Sequence, residues 1–353
     1  MCNPTSRILL TNGCVPKIHS GRISTIWESV HKTTGNRYAT KVFDRRTLTA
    51  REDQAALREA ACLQQISKDA VGTLHLIDFF EDNTHLYLVT DYAAGGDLLN
   101  RVVKSGPLNE RQAQQLARSM LLGVKEFHNR NICHRKLTPE NILLEGASEI
   151  PAFVADLGSA LQIPTDSDGD RFLLTERCAT NAFTAPEILQ RFPYDTQADM
   201  WSIGVVLFFA MAGYKPFDDP SSKVLFQKIV KADYAFSPKE WYGFTRSAKR
   251  FISSLLHADP QVRMTVQEAL DHPWIADLNT HVEQPMESPK GNEARKIKRP
   301  KKFPKVWKAF SRVGKRQDGI DEDIQSTTSR TVSVVSSDPP TDPSNKRLRT
   351  AHY

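Results

Sequence analysis

Residues 200–212 read MWSIGVVLFFAMA, a stretch broken only by Ser202 and Gly204. A surface helix carries one apolar stripe and one polar face, whereas this segment is apolar almost all round. It must be enclosed by other elements, as the central helix of a larger helical assembly. The run from Ile203 to Gly213 falls far short of the ~20 residues that cross a bilayer, so no transmembrane segment is expected. A second helix is announced upstream. Asn109 with Gln112 forms a capping box, and Ala113, Leu116, Met120, Val124 and Phe127 share one helical face. Short helices follow, up to HPWI at 272–275.

The N-terminal part has a different period. Residues 8–43 alternate in the way of strands, with a turn signal, TTGN, at Thr33–Asn36. Residues 52–66 are predicted helical, because Ala56, Ala60, Leu63 and Ile66 recur at helix spacing. LHLIDFF (74–80) and LYLVTDY (86–92), joined by EDNTH, read as a hairpin. The predicted class is therefore α+β, with a β-rich lobe over residues 1–92 and a helix-rich lobe over 93–276. With 40% hydrophobic residues the 353-residue chain can build a core of that size.

Residues 277–353 form a third region. Here 295–316 hold eleven Lys and Arg and no acid, and 318–353 are rich in Ser, Thr, Asp and Pro, which reads as a disordered extension. From residue 285 onward lie 16 of the 47 basic residues and 8 of the 41 acidic ones. The remaining 31 basic and 33 acidic residues leave the rest slightly acidic, so all the basic excess sits in the tail. No specific nucleic-acid binding is expected of the two lobes. Cysteines at 2, 14, 62, 133 and 178 form no CxxC pair, and the start MCNPTSRILL lacks a secretory pattern. A cytoplasmic protein with reduced thiols is expected, with the nucleus as the alternative if the basic run Arg295–Lys302 is an import signal.

Several short segments carry chemistry. Glu59 lies three residues after Ala56 and four before Leu63, on the apolar face of its helix, where an unpaired carboxylate is costly. It needs a buried cationic partner. IHSGRISTI (18–26), YATKVF (38–43), CHRKLTPEN (133–141), VADLGSA (154–160) and Ala185-Pro186-Glu187 follow in order, with DPQVRMT (259–265) downstream.

This ordered set, over roughly residues 7–276, resembles the protein kinases, and most of all the calcium/calmodulin-dependent group of Ser/Thr kinases. The resemblance implies a two-lobed kinase-like fold with ATP between the lobes. It makes Lys41 the strand lysine that holds phosphates and pairs with Glu59. It sets the adenine against Ile18, Ile26, Ala39 and Leu143, with the hinge at Asp91, Tyr92 and Ala93 and with Thr90 at the back. Asn141 and Asp156 match the metal ligands, so Mg²⁺ is expected with ATP. Asp97 and Glu140 fall where kinases for basic substrates hold acidic residues that contact a peptide, and Asp97 also counts among the nucleotide-site residues. Glu187 is matched to Arg263 as an internal pair, and Arg135 offers a partner to a phosphate on the loop before Glu187, with Thr175 as the candidate. Thr180 resembles the peptide-docking threonine of Ser/Thr kinases.

Two departures stand out. In the glycine-rich loop His19 and Ser24 replace two of three glycines, leaving Gly21. In the catalytic loop Lys136 occupies the position of the family's catalytic Asp, and Thr138 that of a phosphate-contacting Lys. An ammonium has three donors and no acceptor, so it cannot take the proton of a substrate hydroxyl. The sequence thus leaves two readings, a pseudokinase that binds ATP and a slow Ser/Thr kinase acting on basic-motif substrates. In the tail, FPKVWKAFSRVGKR (303–316) places Phe303, Trp307 and Phe310 on one helical stripe among basic residues. Calmodulin is the partner expected there, with nuclear import and a solvated charge run as rivals. Arg330–Ser333 and Arg347–Thr350 each place an Arg three residues before a hydroxyl.

Overall fold

A computed structural model of the chain describes residues 16–146, 150–169, 171–176, 182–276 and 278, and the backbone of 8 and 9. Thr180, the segments 295–302 and 303–316 with Phe303, Trp307 and Phe310, and the Arg330–Ser333 and Arg347–Thr350 motifs lie outside the described residues.

Six strands build the N-terminal lobe: β1 (Ile8–Leu9), β2 (Lys17–Ser20), β3 (Thr25–His31), β4 (Arg37–Asp44), β5 (Leu76–Glu81) and β6 (His85–Asp91). All pairings are antiparallel, in the order β1-β3-β4-β6-β5, with β2 also on β3. The turns follow the sequence signals. Gly35 takes a positive φ of 73° and donates to the His31 carbonyl, closing the β3–β4 hairpin. Asp82 closes the β5–β6 hairpin by accepting from the Thr84 and His85 N–H groups.

Helix α1 (Ala50–Gln64) starts two residues before its predicted start, because Thr49 and Glu52 form a capping box. It also ends earlier. The Gln65 and Ile66 N–H groups bond three residues back, which closes the last turn tightly and leaves Ile66 beyond the helix. Ala56, Glu59, Ala60 and Leu63 face inward as the spacing required.

The C-terminal lobe begins with α2 (Leu98–Ser105), N-capped by Asp97, in a stretch where periodicity gave no helix. Only Leu98 and Val102 of α2 are buried, and two apolar positions make too short a pattern to recognise. Helix α3 (Glu110–His128) has the predicted capping box and buries Ala113, Leu116, Met120, Val124 and Phe127. Two small two-stranded antiparallel sheets follow, β7 (Ile132–Cys133) with β10 (Leu161–Gln162), and β8 (Ile142–Leu144) with β9 (Ala152–Val154). Then come α4 (Pro186–Leu189), α5 (Gln197–Ala212), α6 (Ser222–Val230), α7 (Arg246–Leu255), α8 (Val266–Asp271) and α9 (Pro273–Ala276).

Helix α5 is the enclosed helix, with every residue from Ala198 to Ala212 buried. Helices α3 and α7 pack on it, and Trp201 stacks on Phe217 with ring centroids 5.4 Å apart. Cys62 and Cys133 are free and buried. No helix of the described residues is long and apolar enough to cross a membrane.

The segment entering β5 is clamped to the helical lobe. Gly72 adopts φ 82°, and a Cβ there would stand 2.0 Å from the Ser119 carbonyl oxygen. One on Gly123 of α3 would stand 2.1 Å from the Gly72 oxygen. The Gly72 carbonyl accepts from Val154 N–H at 2.8 Å, which ties the approach to β9.

A second tie lies at the base of the lobe. Arg263 and Glu187, both almost fully buried, meet in a two-pronged ion pair at 2.7 and 2.9 Å. The Arg263 guanidinium also donates to the His257, Gln197 and Ala258 carbonyls. A buried charge stripped of its partner is not resolvated. Glu187→Ala is therefore expected to lower unfolding stability by about 3–5 kcal/mol, read from the urea midpoint with unchanged slope. A loss under ~1 kcal/mol would show that the pair is not the tie.

Candidate active site

Strand register builds one wall of the cleft. On β4, Ala39 and Lys41 are two residues apart and share a face. Ile26 of β3 lies opposite Lys41, and Thr90 of β6 opposite Ala39, so Ile26, Ala39, Lys41 and Thr90 project together. Leu88, opposite Lys41 on β6, joins them, a residue that the sequence reading did not single out. Ile18 of β2 stands at the rim, 46% exposed. Gly21 turns the β2–β3 hairpin, its N–H donating to the Ser24 carbonyl at 2.9 Å.

The chain then passes from β6 through Asp91, Tyr92 and Ala93 to the floor. Ala94 and Gly95 N–H groups donate to the Glu145 and Leu144 carbonyls, and Leu144 N–H to the Gly96 carbonyl. This pairing sets Leu143 opposite Asp97. The Asp91 carboxylate turns to His75, accepting from its backbone N–H at 2.8 Å and lying 2.7 Å from its Nδ1. Asp97 caps α2, with its oxygens 2.7 and 2.6 Å from the Asn100 backbone and side-chain nitrogens. Glu140 is exposed on the single 3-10 turn Pro139–Asn141. Arg37 lies over the Tyr92 ring.

The catalytic loop is hung from α5. Asp199 accepts from the His134 and Arg135 N–H groups at 2.8 Å each, and from His128 Nε2 at 3.0 Å. Burial alone would raise the Asp199 carboxyl, but the His128 bond and neighbouring charge hold it below the ordinary carboxylate range. His134 is fully buried, with its Nε2 on the Ala155 carbonyl and its Nδ1 accepting from Lys136 N–H. Burial disfavours its charged form and lowers its proton affinity. Asn141 closes the loop, its Nδ2 donating to the Lys136 carbonyl at 2.9 Å. Ala155 N–H donates to the Asn141 carbonyl, setting Asp156 beside it. Thr138 is buried just before the 3-10 turn.

These placements converge on four charges. Lys41 Nζ donates to both oxygens of Glu59, at 2.9 and 2.8 Å, and to Asp156 Oδ1 at 3.0 Å. Lys136 Nζ donates to Asp156 Oδ2 at 2.7 Å. Asp156 itself is held in a left-handed conformation, φ 67° and ψ 71°, which turns its side chain into the cluster. Burial would raise the Asp156 carboxyl, but the Lys41 and Lys136 ammoniums outweigh it and hold it far below the usual range. Burial would likewise strip the Lys41 proton, and the Asp156 and Glu59 carboxylates keep it charged well beyond neutrality. The sequence requirement of a cationic partner for Glu59 is met by Lys41. The contact between Lys136 and Asp156 had no sequence signal, since the two stand 20 residues apart in loops.

Below the cluster, Arg135 donates to the Ser159 carbonyl and to Tyr194 Oη. Glu176, the neighbour of Thr175, brings a carboxylate to within 3.6 Å of Arg135. Tyr194 Oη donates in turn to the Glu176 carbonyl at 2.6 Å. The sequence reading missed Glu176 and His75, because each acts through a partner distant in the chain.

Comparison with known proteins agrees with this geometry. The protein kinase domain family matches residues 14–275. A probable myosin light chain kinase of Dictyostelium discoideum is 36% identical over 264 residues, 74% of this chain and 66% of that protein. The calcium/calmodulin-dependent protein kinase type I of Schizosaccharomyces pombe is 34% identical over 258 residues, covering 73% and 76%. The calcium/calmodulin-dependent protein kinase cmkB of Emericella nidulans is 36% identical over 258 residues, covering 72% and 63%. The match thus spans just under two thirds of the length of the first and third relatives. With a β-sheet lobe, a helical lobe and the motifs of the cleft assembled between them, this chain belongs to the protein kinase domain family, with calcium/calmodulin-dependent kinases among its relatives, and membership implies ATP and in general a divalent metal.

Proposed function

We propose that the chain is a pseudokinase, a nucleotide-binding scaffold or regulator of signalling that transfers phosphate poorly. The observation that carries this reading is the Lys136 ammonium, 2.7 Å from Asp156 Oδ2, at the position where the family holds its proton acceptor. An ammonium has three donors and no lone pair to accept the proton of a substrate hydroxyl. Losing a positioned base removes about 10²–10⁴ in rate. ATP lies against Ile18, Ile26, Ala39 and Leu143 in this reading, with its phosphates toward Lys41 and Lys136.

The second reading, a slow Ser/Thr kinase for basic-motif substrates, is favoured by the intact Lys41–Glu59 pair. Phosphoryl transfer depends mainly on positioning and electrostatics, and both survive here in part. A radiolabelled phosphate transfer assay separates the two. Under the pseudokinase reading the wild-type chain stays near background, and Lys136→Asp raises transfer about 10²-fold or more by restoring the acceptor. Asp156→Asn in that background then abolishes the gain. Transfer by the wild type at the level of Lys136→Asp would overturn the pseudokinase reading.

Protein partners and a cytoplasmic location, or nuclear import through Arg295–Lys302, belong to the same proposal. So does calmodulin, supported by the aromatic stripe and basic face of residues 303–316 and by the printed names of the two calcium/calmodulin-dependent relatives. A peptide of residues 295–317 is expected to bind calmodulin with calcium, to release it with chelator, and to lose binding on Trp307→Ala. Binding that ignores Trp307→Ala and vanishes with modest salt would show that charge alone is responsible.

A further inference from the structure

The family's metal site can be tested against the residues present. Magnesium takes near-octahedral oxygen ligands at about 2.0–2.1 Å and binds through carboxylates and phosphates. Here the carboxylate that matches the family's metal ligand, Asp156, already has an ammonium on each oxygen, Lys41 at 3.0 Å and Lys136 at 2.7 Å. Among the described residues no group of three or more His, Cys, Asp or Glu could hold a metal ion elsewhere. The remaining donor is the Asn141 amide oxygen, which is uncharged.

Charge counting sharpens the disagreement. Lys41 and Lys136 against Glu59 and Asp156 sum to zero. With an aspartate at position 136, as in the family, the same four positions would sum to −2, the charge that one divalent ion neutralises. Burial raises the Glu59 carboxyl, and Lys41, donating to both of its oxygens, opposes that shift; the count takes Glu59 as ionised on this pairing. The arrangement is neutral without a metal, and a divalent ion would add +2 beside the Lys136 ammonium.

We infer that Lys136 stands in for the divalent ion, so that the site takes the nucleotide as a free polyphosphate anion. The inference rests on the nucleotide-binding reading above and adds the form in which the ligand is bound. Donor supply points the same way. Lys41 Nζ already contacts three carboxylate oxygens, two on Glu59 and one on Asp156, at 2.8 to 3.0 Å. Lys136 gives one N–H to Asp156, and its side chain is 42% exposed, so it offers the phosphates a cation open to the cleft. The ammonium thus does two tasks that a metal ion performs in the family: it neutralises Asp156 and it meets the phosphate oxygens. It does not bridge several oxygens in fixed geometry, which agrees with a site that binds rather than transfers.

Calorimetric titration of the full chain with ATP, once in excess EDTA and once in excess Mg²⁺, tests this. For the wild type the two dissociation constants are expected to agree within about threefold, less than 1 kcal/mol. Lys136→Gln, with its fold verified by melting, is expected to lose about tenfold of the metal-free affinity, ~1.4 kcal/mol. Lys136→Asp is expected to lose at least as much in EDTA and to recover it in Mg²⁺. Wild-type binding at least tenfold tighter with Mg²⁺ than with EDTA would overturn the inference and leave the nucleotide reading standing, as would Lys136→Gln binding like wild type in EDTA. Absence of ATP binding in both buffers would overturn the inference and the nucleotide reading together.

Discussion

Asp199 is the residue on which the rest of the site depends. Helix α5 is apolar almost all round and buried from Ala198 to Ala212, yet it carries this one carboxylate, and a buried charge must be matched by donors. The donors are the His134 and Arg135 N–H groups and His128 Nε2. The catalytic loop is thus suspended from the helix that organises the core. Its position follows from packing rather than from loop propensity. Arg135 is held in a left-handed conformation, φ 65°, which only such external bonds sustain.

From that anchor the charges of the cleft fall into line. Suspending residues 134–136 on Asp199 sets Lys136 opposite Asp156, whose own backbone is held through the Ala155–Asn141 bond. Asp156 reaches across to Lys41 of the sheet, and Lys41 to Glu59 of α1. Two lobes are joined by alternating charge, helix α1 to strand β4 to the loop after β9 to the catalytic loop. The Gly72–Gly123 approach supplies the steric counterpart, with backbone against backbone where no side chain fits. An ion network of this kind ties α1, β4 and the two loops to one another.

The departures from the family are therefore not scattered. An aspartate at 136 would repel Asp156 unless a cation lay between them, whereas a lysine satisfies Asp156 directly. In the proposed reading, the lysine at 136 both takes the place of a proton acceptor and lessens the electrostatic demand for a divalent ion. The worn glycine-rich loop is consistent with this, since a site that binds phosphates through side-chain ammoniums relies less on backbone N–H groups that only flexible glycines bring close.

Much of this was legible in the chain. The enclosed helix at 200–212, the capping box at Asn109, the alternating strands and the need of Glu59 for a cation are local patterns, set by side-chain period and burial. That position 136 carries an ammonium, which has no acceptor, was equally plain, because it depends on residue type and not on where the residue lies. Helix α2 escaped because two buried positions do not make a period, and α1 was misplaced at its ends because caps, not apolar spacing, decide where a helix stops. What tertiary structure alone decided is where charges meet. That Lys136 lands on Asp156, that Asp91 turns to His75, that Asp97 spends both oxygens on Asn100 and that Glu176 faces Arg135 are all matters of a few ångströms. Such distances arise only when strands, loops and α5 are packed together, since hydrogen bonds and ion pairs act at a range far shorter than the chain separation of the groups they join.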